Sequence, residues 1–236
     1  MVKTKSTPQP ADKHSMVKIA QNHAHITESL FDLKELLGKG SYGKVYRGTS
    51  RSDPTQVFAI KIIEKQKLTP EQYTNTKHEA GILQEISHPN IIKYHSQHSD
   101  AEYFYMVMEY CGQGDLFHWA ELDKDEVTED EVAEIIFDLM KTLKFLESQK
   151  IVHRDIKPEN IMWGDDGRIR LTDFGISSQG RNKKTENIFG SMPYMSPESM
   201  KGEFSLKSDI WAAGCVLYQL VTGKKPFKKT NPHELQ

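Results

Sequence analysis

His153-Arg-Asp-Ile-Lys-Pro-Glu-Asn160 decides how this chain is read. The stretch lies between two apolar runs, Ile151-Val152 and Ile161-Met-Trp163. A loop anchored in this way can hold polar groups in fixed relation. Asp155 is placed to accept a hydroxyl proton, and Lys157 to neutralise charge on a transferring phosphoryl group. Asn160 offers an oxygen to a metal ion, and Asp173-Phe-Gly175 begins 13 residues further on. Mg²⁺ prefers oxygen ligands and takes few of them from protein, so Asn160 and Asp173 form a suitable pair. On the residues alone, a solvated polar loop is the competing reading.

Upstream, Gly38-Lys39-Gly40-Ser41-Tyr-Gly43-Lys-Val45 is expected to form a turn between two strands, Phe31 to Leu37 and Lys44 to Thr49. Glycines let backbone amides approach phosphate oxygens without a Cβ in the way. A dinucleotide-binding loop would need a helix directly after the glycines, and a strand pattern follows instead. An ordinary Gly-rich hairpin fits the motif equally well. Val57 to Ile63 is a third strand, and it carries Lys61 among apolar residues, a costly position unless the ammonium is paired. Thr69-Pro-Glu-Gln72 has the signature of a helix start, running to about Ile86. Glu79 on that helix is a partner for Lys61. Further strands are expected at Ile91 to His95 and Tyr103 to Met108.

Downstream, Thr128 and Glu131 predict a second capped helix, with Val132, Ile135, Ile136, Leu139, Leu143 and Leu146 at helical spacing. Short strands at Ile161 to Trp163 and Ile169 to Leu171 flank a Gly-Asp-Asp-Gly turn. An apolar helix is expected over Asp209 to Thr222, closed by Gly223. Over the 236 residues, 31 Lys and Arg balance 33 Asp and Glu, so no basic excess points to nucleic acid or membrane surface. The apolar run from Ile210 to Tyr218 is too short to span a bilayer. Two cysteines, Cys111 and Cys215, exclude a disulfide framework and favour a reducing compartment, with the cytoplasm as the default. Residues 1–28 read as a disordered polar tail.

Together these stretches resemble the eukaryotic protein kinase family. The resemblance runs from about Phe31 to Lys225, with the motifs in family order. It implies an α+β, two-lobed fold: a β-rich lobe over about 31–108, a hinge at 109–114 and a mostly helical lobe over 115–236. It implies an ATP- and Mg²⁺-dependent enzyme that phosphorylates protein Ser or Thr hydroxyls. Gly38, Lys39, Gly40, Ser41 and Gly43 would cover the phosphates, with Val45 and Ala59 against the adenine. Lys61, paired with Glu79, would bind phosphate. Met108, Glu109 and Cys111 would form the back wall and hinge, and Asp115 would contact ribose. Asp155 would be the catalytic base, Lys157 would contact the γ-phosphate, and Asn160 and Asp173 would hold Mg²⁺. Leu83, Tyr94, His153 and Phe174 would form a packed column anchored by Asp209.

Lys157 follows the serine/threonine pattern, and Ile176 resembles family members that favour threonine acceptors. The resemblance also implies that Arg154 binds a phosphate placed on the activation segment by an upstream kinase. Thr185 is the expected switch site and Ser191 the hydroxyl that bonds Asp155. The alternative is a kinase-fold scaffold, or an inactive fragment, that binds nucleotide or protein partners without turnover. Family members usually continue past a stretch like Pro226-Phe227 with more helices. On that resemblance the chain is expected to be a C-terminally truncated catalytic domain, with an apolar face of its last helix uncovered.

Overall fold

The computed structural model describes residues 29–39, 43–122, 127–179 and 190–227. The expected tail, Gly40, Ser41 and Thr185 lie outside them. Contacts cluster into two units, Met1–Ile86 with Ile92–Cys111, and Ser87–Ile91 with Gly112–Gln236.

The first unit is a five-stranded antiparallel sheet with one described α-helix of several turns, α1, and a short 3-10 turn at Lys65–Lys67. In chain order its elements are β1 (Phe31–Lys39), β2 (Lys44–Ser50), β3 (Val57–Glu64), α1 (Pro70–Glu85), β4 (Tyr94–Ser99) and β5 (Tyr103–Glu109). Across the sheet the strand order is β1-β2-β3-β5-β4. Thr69 caps α1 as expected: its Oγ1 accepts from Gln72 N–H at 3.2 Å, and Gln72 Oε1 accepts from Thr69 N–H at 2.9 Å. Pro70 supplies the fixed φ of a first helical residue, where no N–H is needed.

Two expectations shift. Gly38 and Lys39 belong to β1 rather than to the turn, because they continue the ladder opposite Val45 and Lys44. The strand expected from Ile91 begins only at Tyr94. Ile91 instead bridges to Leu171 in the second unit.

Side-chain alternation gives the sheet two distinct faces. Lys61 on β3 bonds Glu79 on α1. Val45 stands opposite Lys61, and Ala59 opposite Met108. Val45, Ala59, Lys61 and Met108 therefore share the face that looks toward α1. Ile60 and Ile62, in between, point the other way.

The second unit contains α2 (Leu116–Leu122), α3 (Glu129–Ser148), β6 (Ile151–Val152), β7 (Ile161–Trp163), β8 (Ile169–Leu171), β9 (Ser178–Gln179) and α4 (Leu206–Thr222). Thr128 and Glu131 form the expected capping box on α3, whose apolar stripe is buried except at the half-buried Ile136. Helix α4 starts three residues before the expected Asp209, because Ser205 N–H finds Ser208 Oγ at 3.1 Å. It ends at Gly223, whose φ of 67° suits a left-handed cap. Sequence reading did not find α2, which is too short to show a helical period. Among the described residues no helix is long and apolar enough to cross a membrane. Both cysteines are free and buried.

Ile210, Trp211, Leu217, Tyr218 and Val221 on α4 are all exposed. The helix is thus apolar toward water as well as toward the core.

Candidate active-site groups

In the first unit, the β3 ladder and the N-capped α1 fix two side chains against each other. Lys61 Nζ lies 2.9 and 2.8 Å from the two carboxylate oxygens of Glu79. The pair is buried, with Glu79 2% exposed. An ion pair at such depth must be well satisfied to persist, because desolvation of each charge opposes it. Gly43 brings the glycine-rich turn against β3: a Cβ there would lie 2.4 Å from Ile62 O. The N–H of Glu109 is already bonded to Lys93 O at 2.8 Å, and its carboxylate accepts from Lys93 N–H at 3.2 Å. Cys111 closes the unit in a buried position.

In the second unit, Asp209 organises the decisive loop. This residue is 1% exposed. Its two oxygens accept from His153 N–H at 2.8 Å and Arg154 N–H at 2.9 Å. Burial pushes its carboxyl above the ordinary range, opposed by His153, Arg154 and these two amides. The brace turns Arg154 into the left-handed region, φ 74°. A non-glycine residue keeps that conformation only where its surroundings impose it. His153 Nδ1 accepts from Asp155 N–H at 3.3 Å. Its Nε2 then carries the hydrogen toward Thr172 O at 3.0 Å. The ring packs edge-on against Phe174, with centroids 4.7 Å apart.

Asp155 is clasped on both oxygens. Oδ2 accepts from Lys157 Nζ at 2.7 Å and Asn160 Nδ2 at 2.9 Å, while Oδ1 accepts from Ser191 N–H at 3.0 Å. Burial raises the Asp155 pKa, but the Lys157 charge, the hydrogen bonds from Lys157 and Ser191 and the nearby His153 outweigh it. The carboxyl is held below its usual range. The bond expected from the Ser191 hydroxyl comes instead from the Ser191 amide. The hydroxyl faces Lys157 Nζ at 2.9 Å, so it already serves the ammonium.

The β7–β8 hairpin pairs Ile161 with Leu171. That register brings Asn160 beside the segment leading into Asp173. Asn160 O accepts from Thr172 N–H at 2.9 Å and from Thr172 Oγ1 at 3.2 Å. Asp173 follows with φ 61°. The Asn160 amide nitrogen makes both of its bonds to Asp155, so Oδ1 takes part in neither. Among the described residues no three His, Cys, Asp or Glu side chains cluster as a metal cage. An amide oxygen and one carboxylate fit a hard cation that keeps water and phosphate in its coordination sphere.

Other expected site residues fall elsewhere. Asp115 caps α2: its carboxylate accepts from His118 N–H at 2.9 Å. The Arg154 guanidinium lies 4.9 Å from the centre of the Phe204 ring, and burial lowers its pKa against the opposing pull of Asp209. Ser177, which follows Asp173-Phe-Gly175 closely, is buried and donates to His153 O at 3.2 Å.

Sequence reading missed Thr172 and Asn90. Asn90 Nδ2 bonds Asp138 at 3.0 Å and Ile169 O at 3.3 Å, and its carbonyl accepts from Leu171 N–H at 2.9 Å, which fastens β8. Its adjacency to His88-Pro89 was the available signal.

Residues 31–236 match the protein kinase domain family. This chain belongs to that family. The kinase chain is 35% identical over 216 residues to human ribosomal protein S6 kinase alpha-3, covering 89% of this chain and 29% of that protein. Calcium-dependent protein kinase 5 of Plasmodium berghei is 35% identical over 213 residues, covering 88% and 37%. A probable serine/threonine-protein kinase of Dictyostelium discoideum is 35% identical over 226 residues, covering 94% and 48%. The chain thus spans less than half the length of each of these relatives. Membership is of the eukaryotic serine/threonine type, a family that uses ATP with Mg²⁺.

Proposed function

We propose that this chain transfers the γ-phosphate of ATP to Ser or Thr hydroxyls of protein substrates. The observation that carries this reading is the Asp155 clasp, with Lys157 and Asn160 both bonded to the same carboxylate oxygen. Phosphoryl transfer needs little covalent chemistry from protein, and positioning with electrostatic stabilisation accounts for most of it.

Each residue takes a role in this reading. Asp155 stays ionised near neutrality, orients the acceptor hydroxyl and takes its proton. Lys157, already beside Asp155, offsets negative charge on the transferred group. Lys61, aligned by Glu79, binds phosphate oxygens. Gly38, Lys39, Gly40, Ser41 and Gly43 cover those oxygens with backbone amides. Val45, Ala59 and Met108 give an apolar surface for the base, and the backbone from Glu109 to Cys111 reads its edge. Because the Glu109 N–H is already bonded, that role falls to other backbone groups of the segment. Asp115 contacts ribose with the carboxylate that also caps α2. Asn160 Oδ1 and Asp173 hold Mg²⁺, which supplies charge neutralisation on the phosphates when bound. Arg154 receives a phosphate on Thr185 set by an upstream kinase, which requires its guanidinium to leave Phe204. The two reduced, buried cysteines suit a cytoplasmic enzyme.

The test is phosphate transfer from ATP-Mg²⁺ to a generic protein by the parent chain and by Asp155→Ala and Lys61→Met. Transfer by the parent alone is the expected result. Nucleotide binding without transfer by the parent would overturn the reading in favour of a scaffold.

A further inference from the structure

We infer that His118 is a positioning residue for the proposed ribose contact, and that its charge sets how freely Asp115 accepts a ribose hydroxyl. The inference rests on the proposed role of Asp115 and adds a pH-dependent grip on the sugar. The imidazole Nδ1 lies 2.9 Å from both carboxylate oxygens of Asp115. Oδ1 also accepts from the His118 N–H at 2.9 Å. A carboxylate offers about four lone-pair positions. These bonds take both positions on Oδ1 and one on Oδ2, which leaves the last on Oδ2 for a ligand hydroxyl.

The Asp115 side chain is 18% exposed and that of His118 69%, so the carboxylate is sheltered while the imidazole exchanges protons with water. Histidine is the side chain whose charge changes between about pH 5 and 8. Neutral, it gives Asp115 one shared Nδ1–H bond. Protonated, it adds a full charge that draws on the same carboxylate, and a ribose hydroxyl then meets a weaker acceptor. The sugar and the proton therefore compete for Asp115, and the hold on ribose weakens as pH falls. Few other charges face the pair. Glu121 follows on α2 itself. The turn Pro158–Asn160, packed against α2, carries Glu159, and β7, also packed there, carries no charged side chain. Lys225 Nζ lies 6.0 Å from the centre of the Phe117 ring. Among the described residues the ion pair of His118 is with Asp115.

Titration of the full chain with ATP-Mg²⁺ and with 2′,3′-dideoxy-ATP-Mg²⁺, at about pH 5.5 and about pH 8, tests this. Both nucleotides carry the same triphosphate, so its own titration cancels in the ratio of their dissociation constants. The preference for ATP should be about threefold larger at the higher pH. In His118→Gln the preference should be the same at both. A preference that does not change with pH in the parent chain overturns the inference, whether or not His118→Gln folds, and leaves the proposed function standing. The parent's pH dependence persisting in His118→Gln overturns it too, because another group then titrates. Failure to bind either nucleotide at either pH overturns the proposed function and this inference with it.

Discussion

Glu79 shows why removing a residue tests more than its chemistry. Lys61→Met would leave the Glu79 carboxylate buried without its cation, an arrangement that costs about 3–5 kcal/mol. The single variant should therefore lose both phosphate transfer and thermal stability. Lys61→Met combined with Glu79→Leu should regain most of the melting temperature and none of the transfer, read by calorimetry beside the kinase assay. Recovery of transfer in the double variant would remove Lys61 from the mechanism. Asp155 makes a second residue-scale prediction through its depressed pKa. A carboxyl that binds its proton less tightly in the native state stabilises that state above the unfolded pKa of about 3.9, and loses the contribution as pH falls through the lower native value. Melting temperature against pH should have a steeper acid limb in the parent than in Asp155→Asn, while stability near neutrality falls in the variant because Lys157 loses its counter-charge.

At the scale of elements, the glycine-rich turn and the caps make separate predictions. Gly43→Ala would push a Cβ to 2.4 Å from Ile62 O, a contact only backbone movement relieves, whereas a Cβ on Gly38 meets nothing within 4 Å. Melting should show Gly43→Ala destabilised and Gly38→Ala close to the parent, and nucleotide titration should show Gly43→Ala weakened in binding. Thr128→Ala removes the oxygen that accepts from Glu131 N–H at 3.2 Å and should cost about 1 kcal/mol by denaturant titration. On α4, Val221 is 60% exposed, so Val221→Lys should leave stability within about 0.5 kcal/mol and reduce self-association in light scattering. Most of these elements were legible because their signals are local: both capping boxes, the turn at Gly164 to Gly167 and the stripe of α3. Helix α2 was not, since its start depends on the Asp115 carboxylate bending back over one turn. The start of β4 was misplaced because Ile91 is as apolar as a strand residue, and only its bridge to Leu171 removes it from the sheet.

For the molecule as a whole, ligand-linked stability tests the proposed binding of nucleotide. ATP-Mg²⁺ at a hundred times its dissociation constant should stabilise the chain by about 2.7 kcal/mol. Lys61→Met and Asp173→Asn should each shrink that shift relative to the apo variant, read by differential scanning calorimetry. The residues of the decisive loop, the Lys61 and Glu79 pair and the order of strands and helices apart from α2, β6 and β9 were determined by the sequence, because each depends on residue type and short-range spacing. Tertiary structure alone decided which atoms meet. It gave the Asp155 bond to the Ser191 amide instead of the hydroxyl, set the Arg154 guanidinium over Phe204, buried Ser177 and made Asp209 the brace of a loop more than fifty residues away in sequence. Such contacts arise from packing between distant segments, where a hydrogen bond goes to whichever donor the fold brings within reach, and no local pattern encodes that choice.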